Sequence, residues 1–102
     1  MHRVIQDGRV AVVYSPGYGA GWSTWNTDVP GMIFDPGLVD LVLEGNKEKI
    51  LAYVMLRWSD ANILGVDDLA VEWIPEGVDF IIEEYDGAET LVFKDMMKWI
   101  TA

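Results

Sequence analysis

Residues 35–58 read DPGLVDLVLEGNKEKILAYVMLRW, and this stretch predicts two short helices joined by a tight turn. Asp35 is a good N-cap and Pro36 is favoured at the first helical position, so we expect a helix to begin here. Gly45 ends that helix and Asn46 can cap a second one, so the two helices form a tight pair. Apolar residues recur at helical spacing in both, namely Leu38, Leu41 and Val42, then Ile50, Leu51, Val54, Met55 and Trp58.

A β-hairpin is predicted on the N-terminal side of the helical pair. Asp7-Gly8 is a preferred pair for a tight type I′ turn, and it separates Val4-Ile5 from the run RVAVVY at residues 9–14. That run is nearly continuous in apolar residues, which predicts a buried central strand.

Three more strands are predicted on the C-terminal side. Residues 69–74 alternate in character, with Leu69, Val71 and Trp73 facing one way. Residues 78–85 and 88–93 flank a second tight turn, Asp86-Gly87. A two-residue turn here sets the cross-strand pairs Phe80–Phe93, Ile81–Val92, Ile82–Leu91 and, at a small repulsive cost, Glu84–Glu89.

The order of elements predicts an α+β fold in one domain, residues 1–102. Two strands, a long loop, two helices and three strands are followed by a short C-terminal helix, which Asp95 caps and which runs through Trp99. We therefore expect a small, mostly antiparallel sheet of about five strands, with the helices on one side.

Composition narrows the cellular setting. The absence of cysteine excludes disulfides and thiolate metal sites and fits a reducing cytoplasm. The start of the chain lacks the pattern of a signal peptide, and no apolar stretch approaches the roughly 20 residues that span a bilayer.

The chain has seven basic and 17 acidic residues, which give a formal net charge of −10. This charge repels nucleic acids and anionic lipids and attracts basic protein surfaces, although it also serves simply to keep a tryptophan-rich protein soluble.

Catalytic and metal-binding patterns are weak. His2 is the only histidine and lies at the end of the chain, so no base stands beside a candidate nucleophile. The acidic pairs Asp67-Asp68 and Glu83-Glu84 are the candidates for a hard cation, but adjacent acids on a strand point to opposite faces. We expect neither an enzyme nor a bound cofactor.

Residues 15–30, SPGYGAGWSTWNTDVP, keep neither helical nor strand periodicity and predict a loop. A loop of about sixteen residues in a compact domain is usually functional or disordered, and the two tryptophans and one tyrosine in this loop argue against disorder. Its glycines allow backbone N–H groups to approach a ligand, its rings can stack on a planar group, and its polar side chains can orient that group. The candidate ligand-binding residues are Tyr14, Ser15, Gly17, Tyr18, Gly19, Gly21, Trp22, Ser23, Thr24, Trp25, Asn26 and, for an anionic ligand, Arg57.

Each of these assignments has a purely structural alternative. The loop tryptophans can plug the open end of the sheet, with glycines making the turns around them. Arg57 can pair with Asp60 at the end of its helix. The glycine run is a weak match to a phosphate-binding motif, because no helical period follows it as in a dinucleotide fingerprint and no lysine follows it as in a P-loop.

Acidic residues cluster in the C-terminal third of the chain. This set comprises Glu72, Glu76, Asp79, Glu83, Glu84, Asp86 and Glu89. It is most simply a solvated sheet edge, or it imitates the phosphate spacing of a nucleic acid and occupies a basic groove.

Three segments carry a resemblance to a protein family. YSPGYGAGWSTWN at residues 14–26, EWIPEG at 72–77 and EYDG at 84–87 resemble a family of short uncharacterised proteins from tailed bacteriophages and prophages. The resemblance implies a phage gene product made in the bacterial cytoplasm. Small accessory phage proteins commonly counter host defence, which is an association rather than a physical argument.

Two functional hypotheses follow. The first is a binding protein that sequesters a nucleotide-like immune signal and can form a homo-oligomer. It binds the signal through residues 15–30, which we call the Gly/aromatic loop. The second is an acidic inhibitor that binds a host defence protein directly, for example a nuclease.

Overall fold

The computed structural model describes residues 3–17, 22, 24, 26, 30–61, 63, 65–85 and 87–93. Its elements are β1 (Ile5–Gln6), β2 (Arg9–Tyr14), a 3-10 turn (Pro30–Phe34), α1 (Pro36–Glu44), α2 (Lys47–Arg57), a second 3-10 turn (Val66–Asp68), β3 (Ala70–Pro75), β4 (Phe80–Tyr85) and β5 (Ala88–Phe93). The strands pair antiparallel throughout, which confirms the α+β class and the five strands. The predicted helix from Asp95 to Trp99 lies outside the described residues.

The helical pair begins and ends where its capping residues stand. The Asp35 carboxylate accepts a hydrogen bond from the N–H of Leu38 at 3.0 Å, at the start of α1. Gly45 ends α1 with a left-handed φ of 82°, a conformation that glycine adopts without a Cβ clash. Asn46 caps α2 by accepting from the N–H of Lys49 at 3.1 Å. The predicted boundaries of both helices are thus confirmed to within a residue.

The first hairpin has the predicted turn. Asp7 and Gly8 both have positive φ, 52° and 75°, as a type I′ turn requires. They join β1 to β2, and β2 lies between β1 and β3 in a three-stranded sheet. The prediction that residues 9–14 form the central strand is confirmed.

Strand β2 is buried on both faces, which explains its continuous apolar run. Ala11 and Val13 face a helix-side core, which we define as the buried residues Ala11, Val13, Trp22, Met32, Leu38, Val39, Ile50, Val54 and Val66. Val10 and Val12 face a hairpin-side core, defined as Val10, Val12, Ile74 and Leu91. The molecule therefore has three layers: helices, a three-stranded sheet and the β4–β5 hairpin.

The β4–β5 hairpin has the predicted register but forms its own two-stranded sheet. Phe80, Ile82 and Phe93 pack against the hairpin-side core. A single sheet with helices on one side would leave Val10 and Val12 facing water. The hairpin instead covers that second apolar face, and for this reason the five strands divide into sheets of three and two.

Candidate functional site

The described part of the Gly/aromatic loop converges on one buried carboxylate, that of Glu89. This side chain is only 2% exposed. Its Oε1 accepts the N–H of Ser15 at 2.9 Å, and its Oε2 accepts the N–H of Trp22 at 2.8 Å. The N–H and the hydroxyl of Thr24 donate to the same Oε2 at 2.9 and 2.7 Å. We call this arrangement the Glu89 cradle, with Ser15, Trp22 and Thr24 as its donor residues.

Backbone pairing brings Glu89 to the loop. Its own N–H donates to the carbonyl of Ser15 at 2.7 Å, so the start of β5 is bonded to the segment that follows β2. In the β4–β5 register Glu89 lies opposite Glu84, on the same face of the hairpin as Ile82 and Leu91. That face points into the protein, and the strand therefore carries the carboxylate inward.

The loop backbone must come close to its neighbours to reach this position. A Cβ on Gly17 would lie 2.7 Å from Cγ of Asp68 and 2.9 Å from its Cβ. Only glycine fits this approach without displacing Asp68. The glycine at position 17 is therefore explained by packing between two segments of the protein.

The donors of the Glu89 cradle replace the water that this carboxylate loses on burial. Burying such a group costs several kcal/mol unless other donors replace its water. Within the described part of the chain, no lysine or arginine forms an ion pair with Glu89. Hydrogen bonds from backbone N–H groups to a carboxylate are charge-assisted, and such bonds are about twice as strong as neutral ones. The loop is thus an anion-binding structure whose anion is supplied by the protein itself.

The Trp22 ring is enclosed rather than presented to a partner. It is 0% exposed and belongs to the helix-side core, where it makes an edge-to-face contact with Trp58 at 6.4 Å between centroids. Asn26 is also buried, and its amide donates to the carbonyl of Trp22 at 2.9 Å. The prediction that Trp22 offers a stacking surface is therefore wrong, and the alternative of a tryptophan plug describes this ring.

Arg57 is engaged with Asp35 instead of Asp60. Its Nε lies 2.9 Å from Oδ1 of the buried Asp35, and Oδ2 accepts the hydroxyl of Tyr53 at 2.6 Å. Burial, followed by the hydrogen bond to Asp35, raises the pKa of Tyr53 above its ordinary value of 10.0, while the charge of Arg57 opposes this. A Cβ on Gly37 would lie 2.7 Å from Cζ of Tyr53, so this position also needs glycine.

The remaining candidate residues that the structure describes are buried or half-buried. Tyr14 is half-buried at the end of β2, where burial, followed by the charge of Glu72, raises its hydroxyl pKa above the ordinary 10.0. Ser15 is fully buried and Gly17 is half-buried. The candidates Tyr18, Gly19, Gly21, Ser23 and Trp25 lie outside the described residues.

Sequence reasoning missed the role of Glu89. We expected it on a solvated sheet edge together with the other acids, and the structure buries it. The alternation of side chains along β5 indicates that Glu89 is buried, because Leu91 and Phe93 follow it on the same face of the strand and both pack inward. Of the other acids, Glu72 is half-buried, Asp86 lies outside the described residues, and the exposed ones are Glu76, Asp79, Glu83 and Glu84.

The opposite face of the β4–β5 hairpin points to solvent. We call it the outer hairpin face, and it consists of Ile81, Glu83, Tyr85, Ala88, Thr90 and Val92. Ile81 is 46% exposed and Tyr85 is 77% exposed. Glu83 lies between them and is exposed as well.

Among the described residues, no group of three or more histidine or acidic side chains is placed to hold a metal ion. In the same ranges, no helix is both long and apolar enough to cross a bilayer. No protein-family model, curated protein or solved structure matches this chain.

Proposed function

We propose that this protein acts by binding a positively charged protein surface through its outer hairpin face, without catalysis. The observation that carries the proposal is the exposure of Ile81 and Tyr85 beside the exposed Glu83 on one face of a two-stranded sheet. Exposed apolar groups rimmed by charge are typical of protein-interaction sites.

The charge of the chain supports a basic partner. The formal net charge is −10, and the exposed Glu76, Asp79, Glu83 and Glu84 lie in and around the β4–β5 hairpin. Such a field accelerates association with a cationic surface and rejects anionic ones. The two described ion pairs, Lys49–Glu44 and Arg57–Asp35, are both on the helical side.

The outer hairpin face also has the composition of an interface centre. Tyrosine is enriched among residues that dominate binding energy, because it buries a large area at low entropic cost and keeps a polar tip. Ile81 supplies a β-branched neighbour, and the surrounding acids can form the polar rim. The face is small, so the expected complex is of modest area and depends on electrostatic complementarity.

The resemblance to phage proteins suggests the setting. In the cytoplasm of an infected bacterium, a small acidic binder of this type would serve as an inhibitor of a host defence protein. A nuclease with a basic groove is a partner of suitable charge. This step rests on the resemblance and on charge alone.

The nucleotide hypothesis receives less support from the geometry. The three described donor residues of the loop already bind Glu89, and a phosphate would have to displace that carboxylate. What remains of this hypothesis depends on Tyr18 and Trp25, which lie outside the described residues. Isothermal titration with cyclic nucleotides and ADP-ribose derivatives tests it, and heat of binding from any of them would favour it over the protein-binding proposal.

Quantitative capture from bacterial lysate tests the protein-binding proposal. Wild-type protein is compared with an Ile81→Ser/Tyr85→Ala variant and with Leu56→Ser, which removes a side chain that is 88% exposed on α2. We expect specific partners to be retained by the wild type and Leu56→Ser, lost by the hairpin variant, and released as salt rises from about 50 to about 500 mM. Equal capture by all three proteins, or capture that salt does not affect, would refute the proposal.

A further inference from the structure

A second candidate site lies at the edge of the hairpin-side core. A cavity of about 380 Å³ opens between β2, the first 3-10 turn and the connection from β3 to β4. Its lining combines apolar side chains, among them Val10, Phe34, Ile74, Val78 and Phe80, with the charged Arg3 and Asp79. This volume lies in the range that small-molecule sites occupy, and such sites combine apolar side chains with polar groups that orient the ligand.

The layered fold explains why a cavity forms here. The hairpin and the three-stranded sheet are separate sheets, and only residues 76–79 connect β3 to β4. Phe34 and Phe80 meet edge to face, with centroids 6.3 Å apart, and hold the two layers at this end. Ile74 and Val10 pair across β3 and β2 and face the space beside these rings.

Arg3 gives this cavity its chemical character. Its guanidinium carbon lies 4.4 Å from the centroid of the Phe34 ring, and Arg3 itself lines the cavity. In the described part of a chain with 17 acidic residues, Arg3 forms no ion pair. This cation–π contact holds the guanidinium beside the cavity, and a guanidinium carries N–H donors that suit an oxyanion.

We propose that this cavity binds a small aromatic monocarboxylate, with the ring against the apolar lining and the carboxylate on Arg3. Asp79 also lines the cavity, and together with the net charge of −10 it opposes ligands of higher negative charge, such as nucleotides. A single carboxylate on an apolar body satisfies both conditions. This site is separate from the outer hairpin face and does not depend on it.

A titration with 3-phenylpropionate, followed by amide chemical shifts at about 150 mM salt, tests the proposal. We expect saturable shifts centred on the apolar lining of the cavity, with a Kd of about 1 mM or tighter for a ligand of this size. The neutral 3-phenylpropanamide and the cationic 2-phenylethylamine should bind at least about fivefold more weakly, since neither supplies an oxyanion to the guanidinium.

Matched variants identify the contribution of Arg3. Arg3→Gln and Arg9→Gln each remove one exposed arginine, but Arg9 does not line this cavity. We expect Arg3→Gln to weaken binding at least about fivefold and Arg9→Gln to change it little, because the long-range effect of one charge is screened. Tyr85→Ala should bind as the wild type does, which separates this site from the proposed protein interface.

Several results would overturn the proposal. They are an absence of shifts at about 10 mM ligand, shifts centred away from the cavity, equal binding of the amide or the amine, and equal effects of Arg3→Gln and Arg9→Gln.

Discussion

Replacing Glu89 by alanine removes the centre of the cradle and leaves the loop donors without their acceptor. Four hydrogen bonds are lost, from the N–H groups of Ser15, Trp22 and Thr24 and from the Thr24 hydroxyl. Each unsatisfied buried donor costs about 1–3 kcal/mol, but water entering the space left by the side chain reduces the sum. We expect a loss of about 3–5 kcal/mol in the free energy of unfolding, comparable to breaking a buried charge pair.

This loss is a large part of the stability of a domain of this size, which is typically about 5–15 kcal/mol. Urea unfolding followed by tryptophan fluorescence and by circular dichroism measures it, and thermal unfolding should show a decrease of about 15 °C or more. Should Glu89→Ala fail to fold, Glu89→Gln keeps the shape and one acceptor oxygen, and we expect an intermediate loss. Glu83→Ala is the matched control, because Glu83 is exposed on the same hairpin and its loss should cost less than about 0.5 kcal/mol.

A chemical-rescue experiment makes the test specific for the cradle. Formate or acetate should raise the unfolding temperature of Glu89→Ala by occupying the vacated donors, whereas chloride at the same ionic strength should not. The wild type should gain nothing specific, since its own carboxylate fills the site. If Glu89→Ala is no less stable than Glu83→Ala, the account of the loop as an internal anion site is refuted.

Three further predictions concern the cluster around Asp35. Tyr53→Phe removes the hydrogen bond to Asp35 and should cost about 1–2 kcal/mol at neutral pH. Because the folded-state pKa of Tyr53 is raised, its hydroxyl contributes fully to the free energy of unfolding below pH 10.0, and this contribution is lost as the pH rises through the folded-state pKa. The decrease in the free energy of unfolding at alkaline pH, measured with urea, should therefore be shallower in Tyr53→Phe. Gly37→Ala should destabilise by about 1–3 kcal/mol through the clash with Tyr53, although alanine favours helix formation; a stabilised variant would contradict the packing seen here. Arg57→Met should cost about 1–2 kcal/mol and Asp60→Asn almost nothing, and the reverse order in denaturation would restore the pair expected from the sequence.

The elements that were predicted correctly are specified by residues close together in the chain. The turn at Asp7-Gly8 needs two residues that tolerate positive φ, and α1 needs a capping side chain at Asp35 and a glycine at its end. The pairing of Phe80 with Phe93 follows from the length of one turn. Each of these signals acts within about a dozen residues, so its physical reason can be read without knowing the rest of the fold.

The candidate site was predicted less well because its contacts are distant in sequence. Ser15 and Glu89 are 74 positions apart, and nothing near Ser15 indicates which carboxylate will reach it. The same holds for Arg57, whose sequence neighbour Asp60 is a plausible partner until the antiparallel helices bring Asp35 beside it. Glycine and tryptophan in the loop indicated a demanding local structure, but not whether its donors faced a ligand or the protein interior.

The amino-acid sequence alone established the helix caps, the Asp7-Gly8 turn, the register of the β4–β5 hairpin and the acidic charge, because each depends on local backbone preference or on composition. The packing of the layers against one another determined the division into two sheets and the contacts of the buried polar groups. Strand β2 has two apolar faces, and covering both divides the strands into two sheets and turns Glu89 inward. The packed faces also decide which buried donor meets which acceptor. A side chain can form a hydrogen bond with a backbone group distant in sequence only after the core has placed the two together.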